Sequence, residues 1–401
     1  MIVTRIAGNH AAAQLVADIR EQRSEIAAAR EQIASGKRVN RPSDDPAHAA
    51  RLVDIDATQA RLHQYSRNAT AAESRLALEE RALESAHDTL ARVRELALSS
   101  KDDALQPFDR EAIRAEVRTR LEGLFEAANA RDETGEYLFA GSRSDTRPFE
   151  RGTPTRFSGN EVALELPIGA SRRVATGGSG IEAFMRVSTG NGDFSVAAAP
   201  ENTGDGIADV GSVTDRAAFR GIDYRIVFTS PTSFDVLEAD SGATVLDAQS
   251  YAPGRTIEFD GIATAVTGAP AAGDVFELRA GERRDVFGIV SRFADALGAT
   301  IGTDAERAAF AQTVDATIAD LDQALEGLNT ARARVGTRLV QVEDSRMENQ
   351  AIALELERTA SEMRDTDMTE AVTRLESRAY ALEILQKSWA RVENLSLFNY
   401  L

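Results

Sequence analysis

The sequence predicts a mainly α-helical chain. Its N- and C-terminal segments pair as a long antiparallel helical bundle or coiled coil, interrupted by an inserted β domain. Three observations carry this. Ile19, Ile26 and Ile33 fall seven residues apart near the start, and Met368, Leu375, Leu382 and Trp389 do the same near the end. That spacing holds one stripe of a helix against a partner over many turns. All ten prolines lie between Pro42 and Pro270, and no glycine follows Gly336. Between about residues 137 and 283 the apolar period drops to two, with turn residues between the alternating runs.

The first terminal helix occupies 1–41. Asp45 before Pro46 reads as an N-cap with proline at the first helical position, and Asp44 joins it in capping the elbow. Residues 47–106 lack both breakers and carry the stripe Ile55, Leu62, Ala69, Leu76, Leu83, Leu90. A helix over 47–100 is roughly 80 Å long at 1.5 Å per residue. A shorter helix over 108–129 keeps Ile113, Val117, Leu121 and Leu124 at helical spacing.

In the insert, Val162, Leu164 and Leu166 alternate, as do Tyr224, Ile226 and Phe228, then Ile257 and Phe259, and less strictly Val275, Phe276 and Leu278. SGN at 158–160, SPTS at 230–233, DSG at 240–242, APG at 252–254 and GAPAAGD at 268–274 supply the turns. The stretch 188–215, rich in small residues, reads as an irregular loop. The ends of the insert must lie close together if both flanking helices belong to one bundle. Thr303 with Glu306 then opens the long C-terminal helix as a capping box. Its stripe runs Leu321, Leu328, Val335, Val342, Asn349, Leu356, Met363, and a polar residue such as Asn349 fixes register. Residues 337–401 hold neither breaker, the composition of helix and little else. Three domains follow: 1–41 with 365–401, 42–150 with 284–364, and 151–283.

Composition excludes several functions. The formal charge is −18, from 64 acidic and 46 basic residues, so nucleic acid and anionic membrane surfaces are unfavourable partners. With no cysteine there is neither a disulfide framework nor a thiolate metal site. MIVTRIAGNH at the start lacks the apolar core of a cleavable secretory signal, so export is expected to use an uncleaved address. Asp365 and Asp367 suit elbow capping better than metal binding, and His10, His48, His63 and His87 make no zinc pair. Gly178–Ser179–Gly180 is read as a loop without the strand-before, helix-after frame of a phosphate cradle. No catalytic residue, cofactor or metal site is expected.

Several separated segments resemble the bacterial flagellin superfamily in the right order. SGKRVNRPSDDPAHAA (35–50) resembles its junction between terminal helix and rod, and LARVRELALSS (90–100) its rod helix. RARVGTRL (332–339) and SEMRDTDMTEA (361–371) are similar to its C-terminal rod helix and elbow. GEYLFAGSRSDTRPF (135–149), YRIVFTSPTSFDV (224–236) and the closing LSLFNYL (395–401) resemble the junction-forming, hook-associated branch. The likeness covers nearly the whole chain and is weakest over 188–215.

That resemblance implies concentric layers: terminal helices inside, long helices as a rod, the β insert outside. It implies a structural subunit of the bacterial flagellum at the hook–filament junction, coupling the first hook-associated protein to flagellin. It further implies uncleaved type III export, an extracellular location, and a cytoplasmic chaperone on the C-terminal segment. Ile19, Ile26, Ile33, Met368, Leu375, Leu382, Trp389, Leu397 and Phe398 are then expected at contacts between subunits. Arg92 and Leu96 match rod positions that pack between neighbours. Two other readings remain: a flagellin that builds the filament, and a secreted binding or hydrolytic module carried by the β insert.

Overall fold

The computed structural model describes the backbone of residues 2–102 and 104–398, and side chains over 13–102 and 104–391. Among the described residues six α-helices occur: α1 (Ile2–Ser35), α2 (Pro46–Ser99), α3 (Pro107–Ala128), α4 (Val286–Leu297), α5 (Asp304–Arg364) and α6 (Met368–Phe398). Two compact units form, one from 1–67 with 346–401 and the other from 68–345.

In the first unit α1 packs on α6. Ile26 and Ala29 of α1 and Ala371 of α6 are buried, and Glu25 pairs with Arg378 at 2.7 Å. The turns beyond these helices are stitched together: Arg38 N–H donates to Arg364 O at 2.6 Å, and Thr366 N–H donates to Gly36 O at 2.9 Å. The end of α1 therefore meets the start of α6, and the two run antiparallel. Gly36 has φ +68°, the left-handed conformation in which glycine carries no Cβ penalty at a helix end.

Caps set the helix starts. Asp45 Oδ1 accepts from His48 N–H at 3.0 Å to open α2, and Asp367 Oδ1 accepts from Thr369 N–H at 2.9 Å to open α6. Asp44 instead accepts from the amides of Asn40 and Arg41, so it closes the preceding turn rather than capping a helix. Thr303 and Glu306 exchange side-chain-to-amide bonds at 2.9 and 3.2 Å, the capping box of α5. The breaker-free stretch after Gly336 is not one helix. Asp365–Asp367 break it, because an N-cap aspartate and the bridge to the first elbow outcompete helix propensity there.

The second unit has two cores. The helical one collects the α2 stripe Ala69, Leu76, Leu83, Leu90 and the α5 stripe Leu321, Leu328, Val335, Val342, all buried. Beside them Phe125, Phe149, Phe184 and Phe287 form an aromatic cluster, with Phe125 and Phe287 stacked at 4.2 Å and Phe149 edge-on to Phe184 at 5.4 Å. Aromatic pairs of this kind add roughly 0.5–1.5 kcal/mol beyond their burial. The β core holds Tyr224, Ile226, Phe228, Phe276 and Leu278. Its five-stranded antiparallel sheet runs in the order Thr244–Ser250, Ser233–Glu238, Tyr224–Ser230, Val275–Ala280, Phe194–Ala198.

Three expectations need correction here. The stretch 188–215 is not an irregular loop: it supplies Phe194–Ala198 to the large sheet, and Ile207–Ala208 and Ser212–Val213 pair with Ile262–Thr267. Its small residues hide the period of two, and its fixing partners are distant side chains of α5. Asp320 accepts from Gly190 N–H and Gln312 from Ala208 N–H, each at 2.7 Å. Val162 lies outside any strand and is exposed, and Leu164–Pro167 is a largely exposed hairpin arm, so its alternation marks no buried face. Gly178–Ser179–Gly180 does follow a strand, Arg173–Gly177, and precedes a π turn of five residues. That turn is too short to make an anion site, and Gly180 is wedged against Phe139 and Phe149.

The insert's ends do approach each other. Phe149 and Phe287, which flank 151–283, have ring centroids 5.5 Å apart, and within the insert Val187–Ser188 pairs antiparallel with Arg283–Arg284 immediately before α4.

Candidate functional site

On α1, Ile26 is buried, and Ile19 and Ile33 are half-buried. On α6, Leu375, Leu382, Leu385 and Trp389 are half-buried. The side chains of Leu397 and Phe398 lie outside the described residues. The seam that sequence spacing picks out is therefore occupied in part within the chain.

What remains is a second row on α6. Met368, Val372, Tyr380 and Ile384 climb the helix in steps of four or eight residues and are 47%, 41%, 67% and 47% exposed. Met368, expected to head the Leu375 seam, belongs to this outward row. At 100° per residue Met368 stands about 20° from Leu375, while Tyr380 and Ile384 turn about 120° and 160° from Met368, so the partner helix on the Leu375–Leu382 face cannot cover them all. Four large apolar side chains left open along one helix are more than a monomer needs.

The rod positions divide. Leu96 is buried in its own helical core. Arg92 stands on the surface, bonded to Glu116 at 2.8 Å and Glu95 at 2.9 Å, and these carboxylates hold its guanidinium well above its ordinary range. A paired surface arginine of this kind contributes little to stability and keeps its charge available at the surface.

Sequence reading missed a buried polar cluster where α2 meets the turn at 132–137 in the second unit. Arg75 bonds Asp132, reaches Glu136 at 3.3 Å, and donates to Tyr137 O at 3.0 Å. One turn on, Glu79 is buried, and its Oε2 has no hydrogen-bond partner among the described residues. Burial raises its pKa to about 7 against the opposing charges of Arg75 and Arg338, with Glu80 adding to the rise. The available signal was two charges four residues apart beside the Leu76–Leu83 stripe, a pattern usually found on a solvated face. Among the described residues no group of three or more histidine, cysteine, aspartate or glutamate side chains is placed to hold a metal, and no helix is long and apolar enough to cross a membrane.

Comparison with known proteins places this arrangement. Residues 6–144 match the model of the bacterial flagellin N-terminal helical region, and 197–280 match the D2-like domain of flagellar hook-associated protein 1. The crystal structure of Xanthomonas campestris FlgL superposes with a TM-score of 0.72 at 30% identity, over 77% of this chain and 99% of that one. The chain belongs to the FlgL family. The flagellar junction protein FlgL from Legionella pneumophila is similarly close, with a TM-score of 0.71 at 28% identity over 78% of this chain and 100% of that one. Flagellar hook-associated protein 3 of Escherichia coli (strain K12) is 30% identical over 161 residues, 40% of this chain and 50% of that protein. The chain thus spans about half the length of the curated FlgL-family relatives it matches.

Proposed function

We propose that this chain is a structural subunit of the hook–filament junction in the bacterial flagellum, coupling the first hook-associated protein to flagellin. One observation carries the reading. After α1 and α6 have paired, α6 still presents Met368, Val372, Tyr380 and Ile384 to solvent. Burying such a row contributes roughly 25 cal/mol per Å2 of apolar surface, which favours an assembled state over a free one. FlgL-family membership supports the hook–filament junction as that assembly.

In this reading residues 1–41 and 365–401 form the inner layer, 42–150 and 284–364 the rod, and 151–283 the outer β domain. The chain leaves the cell by the flagellar type III route without cleavage. A cytoplasmic chaperone covers the C-terminal segment until export, shielding the same apolar row. The role proposed is mechanical, without catalysis.

The test is complementation. In cells lacking their own junction subunit, this chain should restore filaments attached to hooks. Continued shedding of flagellin into the medium would refute the reading. A separate assay asks whether purified chain alone elongates preformed filament seeds; long filaments would instead make it a filament subunit.

A further inference from the structure

The helical core and the β core share no residue among the described ones. Two antiparallel stretches of chain join them, where Val187–Ser188 pairs with Arg283–Arg284 and Thr189 N–H donates to Glu282 O at 3.2 Å. Gly281 N–H adds the next rung on Asp193 O at 2.9 Å. Gly190 in this neck has φ +63°, and a Cβ there would lie 2.2 Å from Phe194 O, so the turn takes glycine. A two-stranded ribbon is marginal by itself. Something else must set the angle of the sheet it carries.

Beyond the neck, residues 194–280 face α5 across a cleft of about 530 Å3. Small side chains line both walls, Ala197 and Ala198 on one and Ala309 and Ala316 on the other. Close-packed interfaces hold few voids of this size, so apolar packing is not what seats the sheet on the helix. Two buried side chains of α5 that line the cleft make polar contacts instead. Asp320 Oδ1 accepts from Gly190 N–H and Gln312 Oε1 from Ala208 N–H, each at 2.7 Å. Asp320 also gathers the base of the neck, with its Oδ2 3.6 Å from Arg284 Nη1 and 3.9 Å from Arg292 Nη2 of α4. Burial raises its carboxyl above the ordinary range, and the Gly190 amide and the two guanidiniums oppose that rise. An acid this deep is costly unless its partners stay in place.

The geometry points to Asp320 and Gln312 as positioning residues that latch the sheet-bearing segment 194–280 at one angle on α5, with the glycine-containing neck as its hinge. The two residues stand about 12 Å apart along the helix at 1.5 Å per residue, so together they oppose a rotation that either one alone would allow. With the latch broken, the segment turns about the neck as one body, because its ladders and its core are internal to 194–280. The cleft gives it room to move toward α5. This device goes beyond the junction reading and does not depend on it.

Spin-label distances test the latch. The chain has no cysteine, so Ser85→Cys on α2 and Ala243→Cys before the edge strand Thr244–Ser250, both exposed positions, carry one nitroxide each in the full chain. In an excess of unlabelled chain, this labelled parent should give a single narrow distance. Adding Asp320→Ala with Gln312→Ala should broaden or split that peak, while amide exchange at Tyr224–Ser230 stays as slow as in the parent. If that variant loses its exchange protection, Gln312→Ala alone, which leaves Asp320 and its arginines in place, should broaden the peak. An unchanged narrow peak in a variant that keeps its protection overturns the latch, and so does a parent already spread over many distances.

Discussion

Lys37 and Asp365, near opposite ends of the chain, face each other as an isolated antiparallel bridge. The main chain closes on both sides of them, through Arg38 N–H to Arg364 O and Thr366 N–H to Gly36 O. The Arg38 guanidinium adds a bond to Met363 O at 3.0 Å. This clasp sets the register of α1 on α6, and the Glu25–Arg378 pair agrees with that register. Because it joins the most distant parts of the sequence, its closure entropy must be met before any contact rewards it, and it forms late in folding.

The cap beside the clasp gives a first prediction. Asp367→Ala removes the acceptor for the Thr369 and Glu370 amides and should cost about 1 kcal/mol in the unit that holds α6. Hydrogen exchange should speed up at those two amides and along α6 while the β core keeps its protection. Unchanged exchange at Thr369 and Glu370 would contradict it.

Glu79 gives a pH dependence with a definite sign. Its folded-state pKa of about 7 lies above the ordinary 4.5, so the folded chain holds the proton more tightly than the unfolded one. The stabilising contribution is complete below the unfolded value and is lost as pH rises through about 7. Glu79→Gln should abolish that loss and leave the variant more stable than the parent at pH 8, by on the order of 2 kcal/mol. Urea unfolding at pH 5 and pH 8 measures this; equal pH slopes in both proteins would refute it.

The aromatic cluster supplies a third prediction. Phe287 stacks on Phe125, contacts Phe149 and Phe184 within 6.1 Å, and is fully buried. Phe287→Ala should destabilise the second unit by roughly 3–5 kcal/mol, read as a lower denaturant midpoint. A loss under 1 kcal/mol would mean that the cluster is not the centre of the helical core.

Much of this was legible in the sequence. Ile55, Leu62, Ala69, Leu76, Leu83 and Leu90 are all buried as their seven-residue spacing predicts, and so are Leu321, Leu328, Val335 and Val342. Asn349 is buried at its place in that stripe. Tyr224, Ile226 and Phe228 alternate into the β core. The failures have physical causes. Strands around Phe194 and Ile207 carry too few large side chains to show a period, and α5 fixes them from over a hundred residues away. Arg75 and Glu79 look like surface charges because helical spacing reports a face, not what later covers it. The outward row on α6 was hidden by its neighbour, since both lie within one apolar helix and only packing with α1 separates them.

The central claim is that the outward apolar row of α6 finds its full burial only beside sister molecules. Removing residues 365–401 tests it most directly. The truncated chain should keep the unfolding transition of the unit at 68–345, yet leave hooks without attached filaments when it is the sole copy in the cell. Hooks that still carry filaments would contradict the account.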